Sequence, residues 1–130
     1  MPHLIIEFSS NLKAHLNIKS LMKSLHEVTS SVSDFPAAGL KTRGVSREYY
    51  LIADGHPDNC FVHATLKIGH GRSSEVKLSA GTLIFDRLVN FLKPIYANVP
   101  LSISFEMQEL DDKLSYKTGN IREYLAKRSE

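Results

Sequence analysis

Pro2 has the most distinctive chemical potential in the chain. Once Met1 is removed, its nitrogen becomes a secondary amine in a ring of fixed geometry. Such an amine serves as a general base when burial and nearby cations disfavour its charged form near neutral pH. A proline that merely stiffens an ordinary terminus explains the same residue, and position alone does not separate the two readings. Arg72 is the second candidate. It follows Gly69-His70-Gly71 and precedes Ser73-Ser74-Glu75, so it stands where a glycine-flanked turn leads into a helix. Helix N-termini present unpaired N–H groups and a positive dipole end. An arginine there adds a planar fork that grips a carboxylate with two hydrogen bonds. A solvated surface arginine fits the local sequence equally well.

Other reactive residue types lack the company that chemistry needs. The six histidines, His3, His15, His26, His56, His63 and His70, show no HxxxH, HxH or Cys-His spacing, so they suggest no converging metal ligands. His63 reads as a structural histidine on a strand. Cys60, the single cysteine, forms no intrachain disulfide and has no CxxC partner, and reads as a small buried hydrophobe. Gly69-x-Gly71 is too short for a phosphate loop and lacks the Lys-Ser/Thr ending. No G-x-S-x-G elbow anchors a serine triad.

The elements that must position Pro2 and Arg72 are legible from periodicity. From His3 to Phe8 the chain alternates, with Leu4, Ile6 and Phe8 on one side, so a strand begins almost at Pro2. Asn17 caps a helix whose stripe is Ile18, Leu21, Met22, Leu25, Val28 and Val32. Phe35-Pro36-Ala37-Ala38-Gly39 ends it. Leu40 to Ala53 reads as a second strand, bulged near Gly44, and Asp54-Gly55-His56-Pro57-Asp58 as a turn. Cys60 to Ile68 alternates again. Ser73 or Ser74 caps a second helix with a stripe of Val76, Ala80, Leu83, Ile84, Leu88, Leu92 and Ile95. Leu101, Ile103, Phe105 and Met107 alternate in a last strand, and a polar tail ends in a short helical pattern around Ile121 to Leu125.

This order is βαβ twice, an α+β arrangement over a single domain, residues 1–130. It predicts one four-stranded sheet with both helices on one face. No helix remains for the other face, so a partner subunit is expected to cover it. Hydrophobic residues form 42% of the chain, and 16 basic against 14 acidic residues leave a net charge of +2. That balance, without a basic run interleaved with aromatics, gives no expectation of a nucleic-acid partner. The sequence shows neither a membrane-spanning run nor a signal peptide, and the expected location is cytoplasmic.

Several short stretches taken in order carry a family resemblance. They are Met1-Pro2-His3 leading into a strand that reaches Glu7, Phe35-Pro36-x-Ala38-Gly39, Ala53-Asp54-Gly55, and Phe61-Val62-His63. Thr65-Leu66-Lys67-Ile68-Gly69, Gly71-Arg72-Ser73, Ser104-Phe105-Glu106 and Glu109-Leu110 continue the series. Over nearly its whole length the chain resembles the 5-carboxymethyl-2-hydroxymuconate isomerase family of the tautomerase superfamily. The resemblance implies a βαββαβ subunit, a homotrimer, no cofactor, and a role in aromatic-compound catabolism. It further implies an enol-keto isomerisation of a small carboxylated dienol, with Pro2 as general base and Arg72 as carboxylate binder. The family has an arginine soon after the Phe-Pro-x-Ala-Gly run. Lys41 stands nearest that position and Arg43 two residues on, so either is a candidate second anchor. On a strand the two share a face. Lysine is a point charge and not a planar fork, so a different substrate preference is compatible with Lys41. Tautomerisation of phenylpyruvate or 2-hydroxymuconate, or a non-catalytic oligomeric binding role on the same fold, remain alternatives.

Overall fold

The computed structural model describes residues 2–32 and 34–129. Its order is β1 (His3–Ser9), α1 (Ile18–Ser30), β2 (Lys41–Arg47), β3 (Cys60–Gly69), α2 (Ser74–Tyr96), β4 (Leu101–Leu110) and α3 (Ile121–Arg128). Short 3-10 turns at Ser10–Ala14 and Asp112–Leu114 follow β1 and β4. The strands form one sheet in the order β2-β1-β3-β4. β1 runs parallel to β2 and antiparallel to β3, and β3 runs parallel to β4. This is the βαββαβ architecture expected of a tautomerase subunit.

Alternation explains the central strands. Leu4, Ile6 and Phe8 of β1 are buried, as are Val62, Ala64, Leu66 and Ile68 of β3, while the residues between them are half-buried. The buried set meets the apolar stripes of both helices, Leu21, Leu25 and Val28 from α1 and Ala80, Ile84, Leu88 and Leu92 from α2. Side-chain oxygens cap both helices: Asn17 accepts from the Ser20 N–H and Ser73 from the Val76 N–H. Among the described residues, no helix is long and apolar enough to cross a membrane.

Two expectations need correction. The second strand stops at Arg47 instead of reaching Ala53. Beyond it the chain turns, with Gly55 N–H bonding the Ile52 carbonyl and Asn59 Nδ2 bonding the same carbonyl and the Asp54 carboxylate. Tyr49 and Leu51, whose apolar character lengthened the sequence pattern, are 98% and 85% exposed. Nor is there a bulge at Gly44, because the β1–β2 register runs unbroken from His3↔Lys41 to Ser9↔Arg47. Gly44 serves packing instead. A Cβ there would lie 2.8 Å from Ile18 Cγ1 and 2.9 Å from Met22 Sδ, so its absence lets α1 lie close against β2.

Candidate active site

Pro2 is buried at the head of β1. Its carbonyl accepts the Lys41 N–H at 3.1 Å, tying it to the start of β2. Whether Met1 precedes it in the working protein lies outside the described residues. The sheet register shows what else gathers at this end. His3 pairs with Lys41 on one side and with Lys67 on the other. Gly69 lies two residues beyond Lys67 on β3, next to the turn that carries Arg72.

Arg72 is held by main chain. Its Nη1 donates to the Gly69 carbonyl at 3.0 Å, and both Nε and Nη2 donate to the Asp34 carbonyl. The guanidinium lies over the Phe35 ring, 4.9 Å from its centroid, and Phe35 is fully buried. Gly71 supplies the turn with φ of 115°, in the left-handed region that favours glycine. Arg72 therefore latches the Asp34-Phe35 end of the loop before β2 to the end of β3. An arginine has five N–H donors, so the fork keeps donors beyond those the two carbonyls take.

Lys41 and Arg43 share a face, as alternation requires, and it is the face away from α1 and α2. Lys41 Nζ donates to the Gly39 carbonyl at 2.8 Å. Arg43 Nη1 lies 3.0 Å from His3 Nδ1. Since arginine can only donate, that ring nitrogen accepts and the neutral ring carries its proton on Nε2. Burial, and then the charges of Arg43, Lys41 and Lys67, push the His3 pKa below its ordinary value. The structure thus joins Pro2, His3, Lys41 and Arg43 closely. Arg72 occupies the same end of the sheet, but its hydrogen bonds all go to the Asp34 and Gly69 carbonyls and none to Pro2, His3, Lys41 or Arg43.

Two groupings escaped the sequence. On the open face of the sheet, His63 lies 2.6 Å from Ser104 Oγ through Nδ1 and 2.9 Å from Glu106 Oε1 through Nε2. The imidazole holds the Glu106 carboxyl below its ordinary range. Only the β3–β4 register, with His63 opposite Ser104, brings these together. The second grouping is a cleft of about 640 Å³ lined by His3, Lys41, Lys117 and Arg122 among others. Its last two cations come from the tail, where the helical pattern around Ile121 to Leu125 places Arg122 on a helix but nothing in the sequence brings it or Lys117 to His3. Cys60 is buried as expected, and burial raises its thiol pKa. Among the described residues, no group of three His, Cys, Asp or Glu side chains converges to hold a metal ion.

Residues 2–125 match the family described as 5-carboxymethyl-2-hydroxymuconate isomerase. The chain is 33% identical to the 5-carboxymethyl-2-hydroxymuconate Delta-isomerase of Escherichia coli over 121 residues, 93% of this chain and 96% of that protein. A crystal structure of a 5-carboxymethyl-2-hydroxymuconate isomerase from Deinococcus radiodurans R1 superimposes with a TM-score of 0.88 at 32% identity, covering 95% of this chain and 93% of that one. Another, of a 5-carboxymethyl-2-hydroxymuconate delta-isomerase, gives a TM-score of 0.89 at 26% identity, covering 96% and 93%.

Proposed function

Since this chain belongs to the 5-carboxymethyl-2-hydroxymuconate isomerase family and is an isomerase, we propose that it ketonises a carboxylated 2-hydroxydienoate with the Pro2 amine as general base. The substrate class is that of the family name, 5-carboxymethyl-2-hydroxymuconate. Muconate ends in two carboxylates and the carboxymethyl group adds a third. In the reaction the 2-hydroxyl loses its proton, carbon 2 becomes a ketone, the remaining double bond settles between carbons 3 and 4, and carbon 5 gains a proton. Atoms and electrons balance within the substrate, so one base that takes and returns a proton suffices.

What supports this reading is Pro2 itself, buried at the head of a central strand and tied to Lys41, at the sheet end where His3, Lys41 and Arg43 meet. Burial and neighbouring cations both favour a neutral amine. Lys41, Arg43 and Arg72 are the proposed carboxylate binders. They would orient the dienol and stabilise the negative charge that develops on its oxygen. The working unit in this reading is a homotrimer.

The test compares two preparations on the same dienol, one with Met1 retained and one with it removed, each verified by mass. Retained Met1 makes the Pro2 nitrogen an amide, which cannot accept the proton, so the rate of enol loss in the ultraviolet is expected to vanish. Pro2→Ala on processed protein keeps an amine and is expected to retain part of the rate. Equal rates with and without Met1 would rule out the proline mechanism.

A further inference from the structure

The tail side of the cleft beside His3 and Lys41 is used by no step above. β4 ends with Leu110 opposite Gly69, at the same end of the sheet as His3 and Lys41. From there the tail returns across that end, and Tyr116, Lys117, Gly119 and Arg122 line one cleft with His3 and Lys41. Lys41, Lys117 and Arg122 put three cations on its lining, and no Asp or Glu lines it. Of the chain's 16 lysines and arginines, Lys13, Arg47 and Lys77 each lie within 3.0 Å of a carboxylate. Among the described residues, Lys117 and Arg122 have no such partner. Unpaired like charges around a concave site repel one another and draw in an anion. The cleft's volume is in the range of small-ligand sites.

We infer that Lys117 and Arg122 anchor a carboxylate of a polyanionic substrate in this cleft, and so set selectivity for a tricarboxylate over a monocarboxylate. The ligand's identity rests on the tautomerase reading above. That reading needs cations for three carboxylates. Arg72 gives much of its fork to main-chain carbonyls, Arg43 is engaged with His3, and Lys41 with the Gly39 carbonyl. The tail supplies two further cations on the lining of the same cleft. Both residues are exposed, so replacing them leaves the core untouched.

The test measures KM and kcat for 5-carboxymethyl-2-hydroxymuconate and for the monocarboxylate enol of phenylpyruvate on processed protein. Wild type is compared with Lys117→Ala, Arg122→Ala, the double variant, and Lys127→Ala, a residue of α3 that does not line the cleft. Each lost charge-assisted contact is expected to raise the tricarboxylate-to-monocarboxylate KM ratio about tenfold or more, with kcat largely kept. Lys127→Ala should leave the ratio where it was. A ratio unmoved in an active double variant would overturn the inference. Calorimetric titration with tricarballylate reads the cleft without turnover, and binding that is equal in wild type and double variant would also overturn it. Binding that depends on these two cations in a processed wild type that turns over no dienol would uphold the inference while refuting the proline mechanism.

Discussion

Arg72 holds two positions at once in this fold. Its donors to the Asp34 and Gly69 carbonyls and its stacking on Phe35 make it a brace for the loop that leads into β2. The donors left over are the ones a substrate carboxylate would take. The two roles separate experimentally, because one is read in stability and the other in kinetics. Losing the brace removes hydrogen bonds worth about 1–2 kcal/mol from a half-exposed site, so Arg72→Ala is expected to melt several degrees lower. Losing a charge-assisted carboxylate contact, about 1.5–3 kcal/mol, should lower kcat/KM by one to two orders of magnitude. Arg72→Lys keeps the charge but not the fork, and should fall between. Lower melting with kcat/KM unchanged would leave Arg72 as a brace alone.

At the scale of elements, Gly44 is the sharpest case. Gly44→Ala would drive a methyl group to within 2.9 Å of both Ile18 and Met22. Alanine stiffens the unfolded chain, a gain of about 0.4–1 kcal/mol. Overpacking costs about 1–3 kcal/mol, and Ile18 Cγ1 is not the free end of a side chain, so the cost should prevail. The expected result is a denaturant midpoint below wild type with an unchanged m-value. A variant as stable as wild type would show that α1 shifts freely over β2. The same position shows what a sequence can and cannot disclose. β1, β3 and both long helices were legible because each buries one face against the core. β2 is an edge strand whose helix-facing residues, Thr42, Gly44 and Ser46, carry no apolar signal, so the pattern marks neither where it ends nor why its glycine is needed. Position singled out Pro2 and Arg72 as candidates without deciding between their chemical and structural readings, and Lys41 and Arg43 entered only through the family resemblance. Lys117 and Arg122 were not legible, because only the path of the tail brings them to His3.

For the whole molecule, both helices lie on one face of the sheet, and the other face is left with Ile5, Val45 and Phe61 half-buried among charged groups. Large apolar side chains are also exposed far beyond what a free surface favours. Tyr49 at 98%, Leu51 at 85%, Leu114 at 77% and Tyr116 at 89% come from the β2–β3 loop and the tail. Burying a leucine of this kind stabilises by roughly 1.5–3 kcal/mol, so several in one interface would hold subunits together at micromolar concentration. In the homotrimer proposed above, the molecule is expected to sediment at three times its chain mass of 14.6 kDa. Because Tyr49 and Leu51 touch little within their own subunit, Tyr49→Glu with Leu51→Glu should spare the subunit fold, read by circular dichroism, while shifting the equilibrium toward monomer. A stable wild-type monomer at micromolar concentration would refute the trimer. A trimer indifferent to both charges would move its interface away from the β2–β3 loop, toward the open sheet face and the tail.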